Sequence, residues 1–227
     1  MCSSQSRPDR EIVKDLHRLQ PTDALRGAWC DNSMARSATL EALSFVTPAL
    51  EQFFVRAVRD TICAMPASDL RVRAQEFVRE ESLHSAAHRR LNRALSEHLG
   101  CAPPSLFPIE SLLRTATRML SLDHRLLLVE VMEQASAIAS GAYLRWAVGR
   151  RFDCAFASRL FAQHAREEIG HVSIIRDLRI QRCADTLRKG LAWALMTAVG
   201  AAYLGFAIPW IIVRKTRRRP LTENLLP

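Results

Sequence analysis

Two Glu-x-x-His pairs lie on helix faces that are otherwise apolar, and this feature constrains the fold most strongly. The first pair, Glu81 and His84, lies in "FVREESLHSAAH", and the second, Glu168 and His171, lies in "FAQHAREEIGHV". Residues three or four positions apart share one face of an α-helix. The first face reads Phe77, Glu81, His84, His88, Leu91 and Leu95, and the second reads Ala157, Phe161, His164, Glu168, His171, Ile175 and Leu178. Each pair therefore belongs to a stripe that should face a core.

Two further predicted helices also carry carboxylates on their apolar stripes. One stripe reads Glu51, Phe54, Val58 and Ile62, and the other reads Leu126, Glu130, Glu133, Ala137 and Leu144. Buried carboxylates without partners cost several kcal/mol each, and several together repel one another. Divalent cations remove this difficulty, and carboxylate oxygen with imidazole nitrogen suits iron or manganese. Two Glu-x-x-His helices with two Glu helices form the ligand set of a four-helix dimetal site.

The candidate metal ligands follow from these stripes. Six of them are Glu51, Glu81, His84, Glu133, Glu168 and His171. His88, one turn beyond His84, is either an additional ligand or a donor that orients one, and His164 lies on the stripe of Glu168 and His171. Glu130 shares its stripe with Glu133, and we expect it to be a ligand in one state or an outer partner. Glu80 and Glu167 are rotated by about 100° from their neighbours, so they should face solvent or lie outside the ligand set. We expect two iron ions, with manganese or a mixed pair as the alternative.

Four predicted helices and one long connection define the fold class. The chain of 227 residues contains 8 glycines and is 48% apolar, which favours helices over a turn-rich β fold. The helices are predicted at 37–65, 68–99, 109–149 and 154–188, with an interruption at Pro48 and a proline-rich loop "CAPPSLFP" before the third. The 30 residues from Glu51 to Glu81 suit an antiparallel return, and the 52 from Glu81 to Glu133 suit a crossover. We expect an all-α four-helix bundle with a central crossover connection.

Three regions follow along the chain: a polar, loosely docked arm (1–37), the dimetal bundle (38–188) and a hydrophobic segment with a basic tail (189–227). Within 190–213, "LAWALMTAVGAAYLGFAIPWIIV" is uncharged for 23 residues, about 34 Å as a helix, and we expect an additional hydrophobic C-terminal helix. This length is sufficient to span a bilayer, but the "RKTRRR" that follows opposes a span from the cytosol. An interfacial or re-entrant segment fits better. The alternative is a helix packed on the bundle or at the seam of a homodimer.

Charge and cysteine usage bear on partners and compartment. The net charge of +9 suits an anionic partner, but no zinc-finger, RNA-binding or helix-turn-helix signature accompanies it, so we expect no nucleic acid partner. The N-terminal stretch resembles no secretory signal, and the six cysteines form no CxxC pair. We expect a cytoplasmic protein that associates with a membrane if 190–213 binds lipid.

Four stretches resemble a known family. They are "FVTPALEQFFVRAVRD", "FVREESLHSAAHRRLN", "VEVMEQASAIASGAYL" and "FAQHAREEIGHVSIIRD". Together, over about residues 40–215, they are similar to the predicted metal-dependent hydrolases of ferritin-like fold. The matching positions are Pro48, Glu51, Glu81, His84, His88, Glu133, His164, Glu168 and His171, while Glu80 stands where glutamine is usual. The resemblance implies a ferritin-like bundle, and the last motif also resembles the di-iron arylamine N-oxygenases, which implies that His164 is a seventh ligand.

Three chemistries remain in view at this point. The ligand set favours a di-iron oxidoreductase that uses O2 to oxidise or oxygenate a small or lipid-like substrate. The family resemblance implies a metal-dependent hydrolase instead. The third hypothesis is metal storage or sensing, for which an apolar tail is less suitable. No catalytic residue beyond the metal centre is predicted.

Overall fold

The protein is all-helical in the computed structural model, which describes residue 16, residues 18–182 and residues 189–218. The described residues form six α-helices: α1 Met34–Cys63, α2 Asp69–Leu99, α3 Leu106–Met119, α4 Leu122–Ala147, α5 Ala155–Gln181 and α6 Lys189–Arg217. A short 3-10 helix, Asp23–Arg26, precedes α1. Within these described ranges there is no strand, only one isolated bridge between Cys30 and Phe152. The expectation of an all-α protein is confirmed.

Two helical hairpins pack together in a helical bundle. Helices α1 and α2 are joined by residues 64–68, and α4 and α5 are joined by residues 148–154. Such short loops make the joined helices antiparallel neighbours. The hairpins meet where α2 packs on α5 and α1 packs on α4. The segment from 100 to 121 crosses from one hairpin to the other, as the sequence spacing predicts.

Helix α2 begins and ends at the predicted residues. The Ser68 hydroxyl accepts a hydrogen bond from the Arg71 N–H at 3.2 Å, which satisfies one of the free amides of the first turn. Gly100 follows the last residue with φ of 87°, the left-handed conformation that favours glycine. These two residues set the ends of the helix that carries Glu81, His84 and His88.

The sequence predicted an interruption of α1 at Pro48, but the helix continues through this residue. Proline has no N–H, so the Ser44 carbonyl loses its usual donor four residues later. The Asn92 side-chain amide of α2 donates to that carbonyl at 2.8 Å instead. Because a neighbouring helix supplies the missing hydrogen bond, α1 continues through the proline.

The prediction of a single helix over 109–149 is wrong, since the structure divides this region into α3 and α4. Helix α3 ends at Met119, and α4 begins at Leu122. Ser121 caps α4, because its hydroxyl accepts a hydrogen bond from the His124 N–H at 3.4 Å. Helix α3 buries Ile109 and Leu113, so the crossover is itself an amphipathic helix rather than a loop.

The arm before α1 is packed where the structure describes it, which corrects the expectation of a loosely docked segment. Leu25, Trp29 and Cys30 are buried. The Trp29 indole N–H donates to Glu41 at 2.6 Å, and the Trp29 carbonyl accepts from the Asp153 N–H at 2.9 Å. A few large apolar residues in a polar stretch are thus enough to dock it. Residues 1–15 and 17, the predicted extension of α5 over 183–188, and 219–227 lie outside the described residues.

Helix α6 packs against α1 and α4 along one side. Its buried residues Tyr203, Ala207, Ile211 and Lys215 are spaced four apart and form one narrow stripe. The Tyr203 hydroxyl donates to the Ala42 carbonyl of α1 at 2.7 Å. The helix is long and apolar enough to cross a membrane by length and composition, and 17% of its most apolar window is buried. The additional C-terminal helix is therefore present, with much of its apolar surface uncovered.

Candidate metal centre

All eight candidate ligands converge in the middle of the bundle. Helix α1 supplies Glu51, α2 supplies Glu81, His84 and His88, α4 supplies Glu133, and α5 supplies His164, Glu168 and His171. Seven of the eight are buried, and the His164 side chain is 14% exposed. The helical spacing of each stripe produces this convergence, because residues three or four apart point to the same side.

The ligand atoms form four overlapping groups in which all atoms lie within 4.8 Å of one another. The groups are Glu51, His88 and His164; His84, His164 and Glu168; Glu51, Glu81 and His84; and Glu81, Glu168 and His171. Five residues each belong to two groups: Glu51, Glu81, His84, His164 and Glu168. Glu81 and Glu168 are the two that join the His171 group to the others. Glu133 lies beside the last group, with its Oε2 3.9 Å from Nδ1 of His171.

Buried atoms without hydrogen-bond partners concentrate at this centre. Both carboxylate oxygens of Glu51, Glu81 and Glu133 have no hydrogen-bond partner among the described residues, and neither does Nδ1 of His84 or His171. Nδ1 of His171 lies 2.9 Å from Oε1 of Glu81, but the two are not aligned as a hydrogen bond. Buried polar atoms normally find partners, so a cluster of orphans needs an explanation. Divalent cations supply one, and this oxygen and nitrogen donor set fits them.

The four carboxylates differ in protonation. Burial raises the pKa of Glu51 and of Glu133 well above the ordinary value, and repulsion from Glu81 and Glu168 adds to the effect. Burial also opposes ionisation of Glu81 and Glu168, but contacts with His171 and other histidines of the cluster lower both pKa values below normal. Ionisation of Glu51 and Glu133 is therefore costly while no metal ion is bound, and a bound metal ion would offset that cost.

Two outer glutamates orient two of the histidines across the α2–α5 seam. Oε2 of Glu80 lies 3.1 Å from Nε2 of His171, and Oε2 of Glu167 hydrogen bonds to Nε2 of His84. Each glutamate thus contacts the histidine of the other helix. A proton held on Nε2 leaves Nδ1 free to face the centre. Glu80 and Glu167 were expected either to face solvent or to lie outside the ligand set. They lie outside it and contact candidate ligand histidines.

The sequence contained a signal for this pairing of each outer glutamate with a histidine of the other helix. Both motifs read Arg-Glu-Glu-x-x-His, as "REESLH" at 79–84 and "REEIGH" at 166–171. The repeat of the first glutamate, and not only of the second, marks a two-fold arrangement. In this arrangement each helix supplies a ligand pair and an outer carboxylate for its partner.

His88 is oriented by a hydrogen-bond chain that the sequence did not reveal. Asn92 donates its amide to the Ser44 carbonyl, so its Oδ1 accepts from the Ser44 hydroxyl at 2.6 Å. The Ser44 oxygen is then an acceptor for Nδ1–H of His88, 2.9 Å away. This tautomer leaves Nε2 of His88 with a lone pair, 2.8 Å from Nδ1 of His164. Burial and the neighbouring His164 lower the pKa of His88 well below normal, so it is neutral.

Glu130 lies outside the cluster and serves as an ion-pair partner. One of its oxygens accepts from the Arg179 guanidinium, and the other accepts from Nζ of Lys189 at 2.6 Å. Nε2 of Gln134 also donates to Glu130, at 3.1 Å. Burial opposes its ionisation, yet Lys189 and Arg179 lower its pKa below normal. The expectation that Glu130 could be a ligand in one state is not supported by this geometry, whereas an outer role is.

The centre is closed toward the two large cavities of the protein. One cavity of about 400 Å³ lies between α1, α2 and α3, and a groove of about 710 Å³ lies between α3 and α6. None of the eight candidate ligands lines either of them. The least buried groups beside the centre are Glu80 and Glu167, with side chains 27% and 20% exposed. The α2–α5 seam, where both of these glutamates lie, therefore brings the centre close to solvent.

One family model accounts for nearly the whole chain. The model described as predicted metal-dependent hydrolase matches residues 16–225. No curated protein and no solved structure matches the chain. The match confirms the family resemblance of the four quoted stretches. The likeness to arylamine N-oxygenases stays a prediction.

Proposed function

Since the chain belongs to the family of predicted metal-dependent hydrolases, we propose that it is a dimetal-carboxylate enzyme that holds iron. Family membership supports the metal dependence. What we propose in addition is the use of O2 to oxidise a small or lipid-like substrate. The observation behind it is the set of four carboxylates and four histidines inside a closed helical core. We include in the proposal that this bundle is of the ferritin-like type, which the shared ligand pattern supports.

The ligand roles follow from the overlapping groups. Glu81 and Glu168 would be shared by two metal ions, because these two residues join the His171 group to the groups that contain Glu51, His84 and His164. His171 and Glu133 would then serve one ion, and Glu51, His84, His88 and His164 would serve the other. Four carboxylates neutralise two divalent ions, so the loaded core carries no net charge from this set. Two iron ions held here supply the redox chemistry of O2 activation.

The chain's own residues hold the centre rigid and dry. Glu80 and Glu167 hold the two histidines by their outer nitrogens, so that the inner nitrogens keep one direction. The Phe77 ring lies edge-on to His171 with centroids 4.8 Å apart, and Phe161 lies 5.6 Å from His88 in the same manner. These rings exclude water from the ligand nitrogens. A narrow, closed core favours a small reactant such as O2 over a bulky ester.

Hydrolysis is the second candidate, and the family description favours it. Two bound metals can supply a hydroxide and polarise an ester or phosphate. That reaction brings both water and the scissile group to the metals, which requires an open pocket. Hydrolysis would proceed without O2, so a comparison of activity with and without O2 distinguishes the two candidate functions.

The test is to load the purified protein with Fe(II) under anaerobic conditions, count the iron, and admit O2. We expect two iron ions per chain, O2 consumption and a transient visible absorption band. The variant His171→Ala should lose metal and O2 consumption, whereas His124→Ala, in the first turn of α4 and outside the cluster, should keep both. Fe(II) protein that consumes no O2 with any reductant would defeat the proposal. So would ester turnover by zinc- or manganese-loaded protein that persists without O2.

A further inference from the structure

Helix α6 is tied to the bundle at both ends by lysines. Near its start, Lys189 donates to Glu130 at 2.6 Å. Near its end, the buried Lys215 ammonium donates to the Leu25 and Gly27 carbonyls at 2.6 and 3.0 Å and pairs with Glu41. A helix anchored at both ends follows the bundle along its length. It cannot cross a bilayer without leaving buried charges unpaired or carrying the bundle into the hydrocarbon.

The outer face of α6 is nevertheless apolar and uncovered. Leu191 and Phe206 are 72% and 73% exposed, and Leu195 and Val213 are also exposed. Contiguous apolar surface of this kind is rare on proteins without a partner for it. The anchored ends and the exposed face together describe a helix that lies on a surface, not one that spans it.

Helix α3 extends the same apolar surface. The groove between α3 and α6 is lined by Ile109 and Leu112 on one side and by Val199, Phe206 and Trp210 on the other. Leu112, on the groove side of α3, is 46% exposed. The crossover helix and the C-terminal helix thus form one apolar platform, which we call the α3–α6 platform.

A cationic cavity borders this platform on the other side of α3. Its wall carries Arg56, Arg89, Arg93 and Arg114 and one carboxylate, Glu110. The Arg114 guanidinium approaches Glu110 to 3.7 Å, which leaves a clear excess of positive charge. Apolar side chains from α1 and α3 form the rest of the lining. Guanidinium groups suit phosphate oxygens, which they bind in a planar fork.

We propose that the α3–α6 platform is a docking surface for an anionic phospholipid bilayer, with the arginine cavity receiving a lipid headgroup. Apolar side chains beside clustered basic ones are the pattern of proteins that lie in the membrane interface. Electrostatic attraction and apolar insertion act together, because α3 carries residues of both surfaces. The bundle stays on one side of the membrane, and α6 lies in its plane.

The test uses the full-length protein and sedimentation with vesicles. We expect strong binding to phosphatidylcholine vesicles that contain about 30% phosphatidylglycerol, and weak binding to phosphatidylcholine alone. High salt should weaken the binding, since basic residues supply part of the attraction. Arg93→Glu and Phe206→Asp should each reduce binding about ten-fold.

Two matched controls lie on the outer face of α5, remote from the platform. Arg176→Glu and Ile180→Asp make the same changes of charge and polarity there and should bind vesicles as the unaltered protein does. Helical circular dichroism of all four variants separates lost binding from lost folding. Equal binding to both kinds of vesicle, or to neither, would overturn the proposal, as would equal losses in the controls. A soluble dimer that Phe206→Asp dissociates would assign the platform to a second copy of the chain instead.

Discussion

Two glutamates one turn apart on α4 should respond in opposite ways to the same substitution. Glu130 is buried and paired with Arg179 and Lys189, whereas Glu133 lies in the candidate metal centre and neither of its oxygens is hydrogen bonded to a described residue. We predict that Glu130→Gln destabilises the fold and leaves metal binding intact. Glu133→Gln should weaken metal binding and leave the metal-free fold nearly unchanged.

The magnitudes follow from the burial of each partner. Breaking a buried ion pair costs about 3–5 kcal/mol, because the remaining charge is left without compensation. Lys189 is 30% exposed, so its share is screened by water, and we expect the lower end of the range, about 3 kcal/mol. For a chain of this length, that lowers Tm by roughly 10 °C. Burial raises the pKa of Glu133 well above its ordinary value and so favours the neutral carboxyl, and the neutral amide of glutamine should therefore change stability by less than about 1 kcal/mol.

The assay is thermal unfolding of the metal-free proteins, followed by iron titration of each. The prediction requires a lowered Tm with full iron occupancy for Glu130→Gln, and the reverse for Glu133→Gln. If Glu130→Gln lost iron while keeping its Tm, Glu130 would be a ligand and the interpretation of its ion pairs would be refuted.

Three further predictions concern the centre itself. Replacing Asn92 by Ala should weaken metal binding about 10–100-fold by freeing the His88 tautomer, and an unchanged ¹⁵N shift of the His88 ring would contradict this. Glu80→Gln should weaken metal binding by about the same factor while the metal-free Tm stays within a few degrees; a large loss of Tm would point to a structural role instead. Metal affinity should rise with pH, because the raised pKa values of Glu51 and Glu133 mean that binding releases their protons. Calorimetry in buffers of different ionisation enthalpy measures that release, and zero release would refute it.

The pH dependence of stability has the opposite sign to that of metal affinity. In the metal-free protein the folded pKa of both Glu51 and Glu133 exceeds the unfolded value. Their contribution is favourable below the unfolded pKa and is lost as the pH rises through the folded pKa. Without metal the fold should therefore be more stable in mildly acidic solution, and with metal the difference should diminish.

The convergence of the eight candidate ligands was predictable because helical spacing is a local property. Glu81 and His84 share a helix face whatever surrounds that helix, and the same holds for Glu168 and His171. The apolar residues on the same stripes indicated that these faces would be buried. Helix ends were also predictable from the local sequence where a capping residue marks them, as Ser68 and Gly100 do for α2.

Errors occurred where another helix supplied the deciding partner. Pro48 was expected to break α1, but Asn92 of α2 satisfies the carbonyl that the proline leaves free. For Glu130, which the sequence left open between a ligand and an outer partner, the contacts come from Arg179 and Lys189 on two other helices. The break before α4 is the exception, since Ser121 was a local signal that the apolar periodicity of 109–149 obscured.

Spacing along the chain determined which side chains share a face, and this predicted the candidate ligand set and the helical architecture. The protonation and orientation of those side chains emerged from contacts between helices. Glu80 and Glu167 contact histidines on the opposite helix, and Lys215 is buried against Glu41 far away in sequence. The physical reason is that a charge in a core is stabilised by whatever lies within a few ångströms. Those neighbours come from distant parts of the chain that only folding brings together.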